Sequence, residues 1–157
     1  MALEKDAELQ PCEKQSKRIY IAQAADVTGD GIPEALVQYC HMGAYTSDVT
    51  LMRLEGGKPV VARFRGKDGK ILQPSFLQGA SVRNGEDVTL LPEKRAVYAI
   101  HWHTSDSGLR LETCKVEAYV WAAQSGTFDQ DGKLSKEIAR GACRRIQEYL
   151  ERAAGPR

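Results

Sequence analysis

The sequence predicts an α+β fold that is mostly β, an antiparallel meander sheet of about seven to nine short strands with one C-terminal amphipathic helix packed on it. Two observations lead to this prediction. Between residues 17 and 122, short apolar runs with a period of two alternate with glycine-containing turns, as in strands joined by hairpins. After residue 135 the apolar residues recur at helical spacing.

The length of 157 residues is enough for one domain with its own core, and we expect a single domain over 1–157. Residues 1–16 are predicted to be loosely ordered, 17–122 to form the β-rich body and 135–153 to form the helix. The net charge of +1 gives no basic surface for nucleic acid. No apolar run approaches the roughly 20 residues of a membrane span.

The strands are predicted from apolar alternation and from the turns between them. The sequence from Glu55 to Lys58 predicts a hairpin, and Asn84-Gly85 predicts another because this dipeptide favours positive φ. Between Val116 and Ala122 the period is two, which requires a strand with two different faces. The predicted strands cover residues 17–25, 34–41, 48–54, 59–64, 71–77, 79–83, 88–91, 95–104 and 109–122.

The last element is predicted to be a helix of about 18 residues with Ser135 as its N-cap. Its apolar stripe needs a hydrophobic surface, and one face of the sheet is the expected partner. Gly155-Pro156 ends the helix. Phe128–Ser135 imitates half of an EF-hand loop, and we interpret it as an acidic turn that places Asp131 near the positive end of the helix.

The most specific stretch in the chain runs from Asp26 to Glu34, between two apolar runs. Oxygen-bearing side chains occupy positions 1, 3, 5 and 9 of this nonapeptide: Asp26, Thr28, Asp30 and Glu34. Ca²⁺ takes six to eight oxygen ligands, so a tight loop with inward-pointing alternate residues suits it. The carbonyl of Ile32 is the expected additional donor. The other interpretation is a tight turn without metal, because Thr-Gly-Asp-Gly is also good turn chemistry.

The pattern Asp26-x-Thr28-x-Asp30-Gly31-x-x-Glu34 resembles the cation loop of FG-GAP and VCBS-type repeats, which occurs in integrin α-subunit propellers. The resemblance implies a structural Ca²⁺ held by the side chains of Asp26, Thr28, Asp30 and Glu34. The neutral Thr28 and the longer arm of Glu34 depart from the family pattern and imply weaker binding. The resemblance covers about 20 residues and does not recur, so it implies the loop and its two strands rather than a propeller.

The four cysteines are scattered, with no C-x-x-C pair that would indicate zinc or a thioredoxin-type site. Three pairings are possible, of which we favour Cys12 with Cys143 and Cys40 with Cys114. The alternative is four buried thiols. Disulfides together with a calcium loop would place the protein outside the cytoplasm, periplasmic, secreted or lipid-anchored after removal of an export signal. Residues 1–17 are polar and contain no such signal themselves.

His101 and His103 lie two apart on a predicted strand, so both imidazoles face the same side, as in zinc sites that use a His-x-His pair. His41, Asp106 or Glu112 would have to supply a third ligand. This pair gives the alternative function, a small metal-dependent hydrolase.

The function expected first is a non-enzymatic, calcium-stabilised interaction module that binds an unknown protein or glycan. A scaffold subunit of a larger assembly is a third possibility. The sequence specifies neither the partner nor the oligomeric state.

Overall fold

The computed structural model of the protein describes residues 20–41, 46–72, 74–80 and 83–155, without the side chains of 39–41, 46 and 80. Within these residues the chain forms eleven strands, a 3₁₀ turn at Pro92–Lys94 and one α-helix. The elements are β1 (Tyr20–Ala25), β2 (Glu34–His41), β3 (Thr46–Glu55), β4 (Lys58–Val61), β5 (Phe64–Arg65), β6 (Ile71–Leu72), β7 (Phe76–Ala80), β8 (Asn84–Leu91), β9 (Ala96–Thr104), β10 (Leu111–Ala122), β11 (Thr127–Gln130) and α1 (Gly132–Ala153).

The predicted fold class is confirmed: the described part is mostly β, with one C-terminal helix on a mostly antiparallel sheet. The strands follow the order β1-β2-β3-β7-β8-β9-β10-β11-β5-β6, and β4 pairs with β3. The nine predicted strands become eleven in the described part. The runs 59–64 and 71–77 each divide into two short strands, residues 79 and 80 of the predicted strand 79–83 belong to β7, and β11 was predicted as a turn. The pairing of β11 with β5 is parallel, and the sheet departs from a simple meander there.

The sheet curls around one hydrophobic core. Phe64 of β5 lies at its centre, with ring centroids 5.3 Å from Phe76, 5.1 Å from Tyr119 and 5.3 Å from Phe128. The curl brings β1 near β8, where the Gln23 side-chain oxygen accepts from the Leu90 N–H at 3.0 Å. The amide nitrogen of Gln23 in turn donates to the Leu90 carbonyl at 3.5 Å. Gln23 thereby bonds both backbone groups of Leu90.

Helix α1 packs on the outer face of β9 and β10. Even-numbered residues of these strands meet it, whereas odd-numbered residues of both strands face the inner side of the sheet. The outer contacts form two apolar clusters, one around Ala96, Ala118 and Leu134 and one around Ile100, Val116 and Ala142. The burial of these side chains holds the helix on the sheet, as the amphipathic pattern predicts.

A disulfide joins Cys114 of β10 to Cys143 of α1, with the two Cα atoms 6.0 Å apart. The favoured pairings, Cys12 with Cys143 and Cys40 with Cys114, are therefore wrong. The physical reason is that α1 lies directly over β10, which brings the Cα atoms of Cys143 and Cys114 within the distance that a disulfide requires. Cys12 and the side chain of Cys40 lie outside the description.

The hairpin predicted at Asn84-Gly85 is present, because β7 pairs with β8 in antiparallel fashion. The position of its turn was predicted wrongly, since both residues begin the continuous strand β8. Gly85 is needed for another reason. The indole of Trp102 lies on its Cα, and an added Cβ would stand 2.0 Å from Cε2 of that ring. The glycine in this dipeptide therefore serves a close side-chain approach rather than a positive φ.

The N-cap of α1 is Asp131, whose carboxylate accepts from the Leu134 N–H at 2.8 Å. The predicted N-cap, Ser135, lies inside the first turn instead. Its hydroxyl donates to the Asp131 carbonyl at 2.6 Å and accepts from the Ala118 N–H at 2.9 Å, so it links the helix to β10. Among the described residues, no helix has the length and apolar character needed to cross a lipid bilayer.

Candidate cation loop between the first two strands

The stretch from Asp26 to Pro33 connects β1 to β2, as the sequence predicts. Gly29 and Gly31 have φ values of 80° and 85°, a region that residues with a side chain adopt only with strain. These two glycines turn their N–H groups towards Asp26. Its Oδ1 accepts from Gly29 at 2.6 Å and its Oδ2 accepts from Gly31 at 2.9 Å. Asp26 therefore closes the loop on itself.

Glu34 stands at the start of β2 and is only 2 % exposed. Its Oε2 accepts from the Val27 N–H at 2.9 Å, and its Oε1 accepts from the Thr28 hydroxyl at 3.2 Å. The same hydroxyl lies 3.5 Å from Oδ1 of Asp26. Thr28 thus brings oxygens of two carboxylates to one place beneath the loop.

The pKa values of Asp26 and Glu34 are shifted in opposite directions. The backbone hydrogen bond from Gly31, followed by others from the loop, holds the pKa of Asp26 below its usual value. Burial raises the pKa of Glu34, and the charges of Asp30 and Asp26 add to that rise. In the described part of the chain, no Lys or Arg lies within ion-pair distance of Glu34. A buried carboxylate therefore lacks a positive partner.

Asp30 and Ile32 complete the predicted ligand set, and both lie at the exposed tip of the loop. Oδ1 of Asp30 accepts from the Ile32 N–H at 2.8 Å, so this side chain turns towards its own backbone. Across residues 20–41, 46–72, 74–80 and 83–155, no group of three or more His, Cys, Asp or Glu side chains is arranged to hold a metal ion. The structure brings together Asp26, Thr28 and Glu34 and leaves Asp30 outside this group.

Arg95 is a neighbour of the loop that the sequence does not reveal. It follows the 3₁₀ turn and has a φ of 46°, the one positive φ at a residue other than glycine in the described part. Its guanidinium lies against Gly29, where an added Cβ would stand 2.7 Å from Cζ of Arg95. No motif signals this contact, because Arg95 and Gly29 are brought together only by the curl of the sheet.

The second group of predicted site residues lies on β9. His101 and His103 share the inner face of the sheet, and their Nδ1 atoms contact Glu86 Oε1 at 2.6 Å and Asn84 Oδ1 respectively. Two of the predicted third ligands are engaged elsewhere, since Asp106 pairs with Arg83 at 3.2 Å and Glu112 with Arg110 at 3.7 Å. The third candidate, the side chain of His41, lies outside the description.

A comparison with known proteins gives no relative. No protein-family model matches the chain, and no curated protein or solved structure is detectably similar to it. These comparisons assign no family. The likeness to FG-GAP and VCBS repeats therefore rests on the loop residues alone.

Proposed function

We propose that this domain is a non-enzymatic, extracytoplasmic interaction module whose first hairpin is stabilised by one Ca²⁺. Asp26, Thr28 and Glu34 would hold the ion, with Asp30 and the carbonyl of Ile32 completing the protein ligands. The partner is a protein or a glycan. The ion supplies positive charge and fixes the loop, and it takes part in no reaction.

The observation that carries the proposal is the buried carboxylate of Glu34, for which the described part of the chain supplies no positive partner. Buried charges in proteins are paired or bind metals, because an uncompensated charge in the interior costs several kcal/mol. The oxygens of Asp26, Thr28 and Glu34 lie at successive separations of 3.5 Å and 3.2 Å. Neighbouring oxygens around a Ca²⁺ with ligands at 2.3–2.6 Å have separations of about 3.0–3.5 Å. The spacing of these three oxygens therefore suits this ion.

The hydrogen bonds within the loop are compatible with the ion. A carboxylate offers about four lone-pair sites, so an oxygen that accepts one N–H can still bind a cation. Asp26 and Glu34 would keep their bonds to Gly29, Gly31 and Val27 and present their remaining lone pairs. The loop then has a closed form held by its own hydrogen bonds, and the ion adds to that form rather than creating it.

The location outside the cytoplasm is supported by the disulfide between Cys114 and Cys143, since such bonds persist mainly in oxidising compartments. Millimolar calcium is found in the same surroundings. A loop with three carboxylates and one neutral hydroxyl is expected to have the affinity of extracellular modules, a Kd of roughly 10⁻⁴–10⁻³ M.

The test is a melting curve of the full chain with and without Ca²⁺. At ten times Kd the ion should add about 1.4 kcal/mol to the free energy of unfolding, which raises Tm by about 3–6 °C. Glu34→Gln retains the shape of the side chain and removes its charge, so this variant should lose the shift. Asp30→Ala removes a proposed ligand, so this variant should also lose the shift. It should stay folded without Ca²⁺, because the substitution removes one of three repelling charges.

If the wild-type Tm does not respond to Ca²⁺ up to ~10 mM, the proposal is wrong and the loop is a tight turn that binds no metal. Mg²⁺ at equal concentration is the control for ionic strength. Calcium found by metal analysis of the purified protein would favour this proposal. Hydrolytic activity that depends on zinc and is lost in His101→Ala would favour the hydrolase, because bound zinc alone does not indicate catalysis.

A further inference from the structure

The second site of interest is the histidine pair on β9. In the antiparallel register, His101 stands opposite Glu86 of β8 and Lys115 of β10, and His103 stands opposite Asn84 and Thr113. The two imidazoles lie two residues apart on one strand, so their Cα atoms are separated by about 6.6–7 Å. Two side chains of this length can reach one ion between them.

The proton positions follow from the hydrogen-bond partners. An ionised carboxylate only accepts, so the Nδ1 of His101 donates to Oε1 of Glu86. The amide oxygen of Asn84 likewise only accepts, so the Nδ1 of His103 donates to it. A neutral imidazole with its proton on Nδ1 has its lone pair on Nε2. Within the described part, neither Nε2 has a hydrogen-bond partner.

This arrangement is the one found around histidines that bind metals. Such a histidine donates its other ring N–H to a carboxylate or carbonyl oxygen, which fixes the tautomer and raises the basicity of the ligand atom. Here both members of the pair have that support from the same neighbouring strand. His101 is 54 % exposed at its side chain, so an ion has direct access from solvent.

The local charge also favours a cation. On the face of the histidines, the hollow beside His101 is lined by Glu86 and Glu117 together with Lys115, which gives two negative charges against one positive charge. Lys115 does not contribute fully against a cation, because its ammonium pairs with Glu117 at 2.9 Å.

We infer that His101 and His103 form a second cation site, which binds one divalent transition-metal ion through the two Nε2 atoms. Imidazole nitrogen selects Cu²⁺, Zn²⁺ or Ni²⁺ over Ca²⁺, and among these Cu²⁺ binds most tightly. Glu86 and Asn84 are positioning residues. Water completes the coordination, since the described chain adds no third ligand. The site captures a metal at the surface and is independent of the calcium loop.

The test is a titration of the untagged full chain with Cu²⁺, followed by calorimetry and electron paramagnetic resonance. We expect one ion per chain at this site, with hyperfine splitting from two imidazole nitrogens. His101→Ala and His103→Ala should each lower the affinity at least about tenfold. Lys115→Ala, a change beside the pair, should alter it by less than about threefold, because exposed charges contribute little.

Two further variants examine the positioning role. Glu86→Gln retains an oxygen that accepts from Nδ1, whereas Glu86→Leu does not, so the leucine variant should bind Cu²⁺ about tenfold more weakly than the glutamine variant. Circular dichroism confirms that each variant is folded. Affinity that survives in the double variant His101→Ala, His103→Ala, or a spectrum with one nitrogen, would overturn the inference. Equal affinity of the two Glu86 variants would overturn the positioning role.

Discussion

The first hairpin and the C-terminal helix are attached to the sheet by opposite physical means. The loop from Asp26 to Glu34 is held by hydrogen bonds from side chains to its own backbone, around a buried carboxylate. Helix α1 is held by two apolar clusters and a disulfide. The stability of the helix attachment should therefore be indifferent to pH and cations, whereas that of the loop should respond to both.

Removal of the disulfide should give the largest effect. Cys114 and Cys143 are separated by 29 residues, so the loop that they close contributes about 3.5 kcal/mol in the chain-entropy model. The double variant Cys114→Ala, Cys143→Ala should lose that amount, which lowers Tm by about 7–14 °C. Differential scanning calorimetry measures it.

This variant also tests the contrast between the two attachments. Its Tm should still rise with Ca²⁺ by the same amount as that of the wild type, because the hydrogen bonds of Asp26, Thr28 and Glu34 connect residues within the loop. A lost calcium response in the double variant would mean that the two regions are coupled.

Substitution of Gly85 should have the next largest effect. In Gly85→Ala the new Cβ would stand 2.0 Å from the Trp102 ring, so the indole has to leave its place beside α1. Overpacking of this kind costs about 3 kcal/mol. Urea unfolding measures the loss. Gly141→Ala is the matched control in α1, where the added Cβ meets only the tip of Arg145 at 3.2 Å.

Alanine is a better helix former than glycine, so Gly141→Ala should raise the free energy of unfolding by up to about 1 kcal/mol. If Gly85→Ala were as stable as the wild type, the close packing of Trp102 on β8 would not hold.

The smallest effect, and the one specific to the loop, is expected from Glu34→Gln. Because burial raises the pKa of Glu34 in the folded state, its folded form binds a proton more readily than its unfolded form. Glu34 should therefore contribute most to the free energy of unfolding below the ordinary glutamate pKa of about 4.3, and this contribution should be lost as pH rises through the raised folded value. In Glu34→Gln this part of the pH profile should be flat.

At neutral pH the stability of Glu34→Gln should lie within about 1 kcal/mol of the wild type, because the amide can still bond Val27 and Thr28. Glu34→Leu leaves the Val27 N–H without a partner and should cost about 1–3 kcal/mol. Equilibrium unfolding between pH 4 and pH 8 measures both. A pH profile identical in wild type and Glu34→Gln would assign the titration to another group. Ca²⁺ should reduce the wild-type loss at high pH, since it stabilises the carboxylate.

Local signals predicted the parts of the fold that depend on local interactions. The bounds of β2, Glu34–His41, agree with the prediction, as do the hairpin at Glu55–Lys58 and the amphipathic helix. The apolar runs on either side of the loop correctly placed it between two paired strands. Which carboxylate is buried was not predictable, because this depends on how the sheet curls over Glu34.

The errors in pairing and packing concern residues that are distant in sequence. Gly85 was assigned to a turn since nothing nearby shows that Trp102 would cover it. The pairing of Cys114 with Cys143 depends on the face and register with which α1 lies on β10, and the spacing of cysteines carries neither. The support of His103 by Asn84 follows from the register of β8 with β9, which the mistaken turn at Asn84-Gly85 concealed.

The parallel pairing of β5 with β11 has a consequence for the time course of folding. Phe64 stands opposite Phe128 in that pair, so the residue at the centre of the core meets an essential neighbour only after most of the chain is available. Contacts between such distant residues form slowly, because the chain entropy of closing the loop is lost before the contact forms. We therefore expect a chain that emerges from the ribosome to keep Phe64 exposed until its last third has been made. Such a chain would stay unfolded long enough for export or for capture by a chaperone.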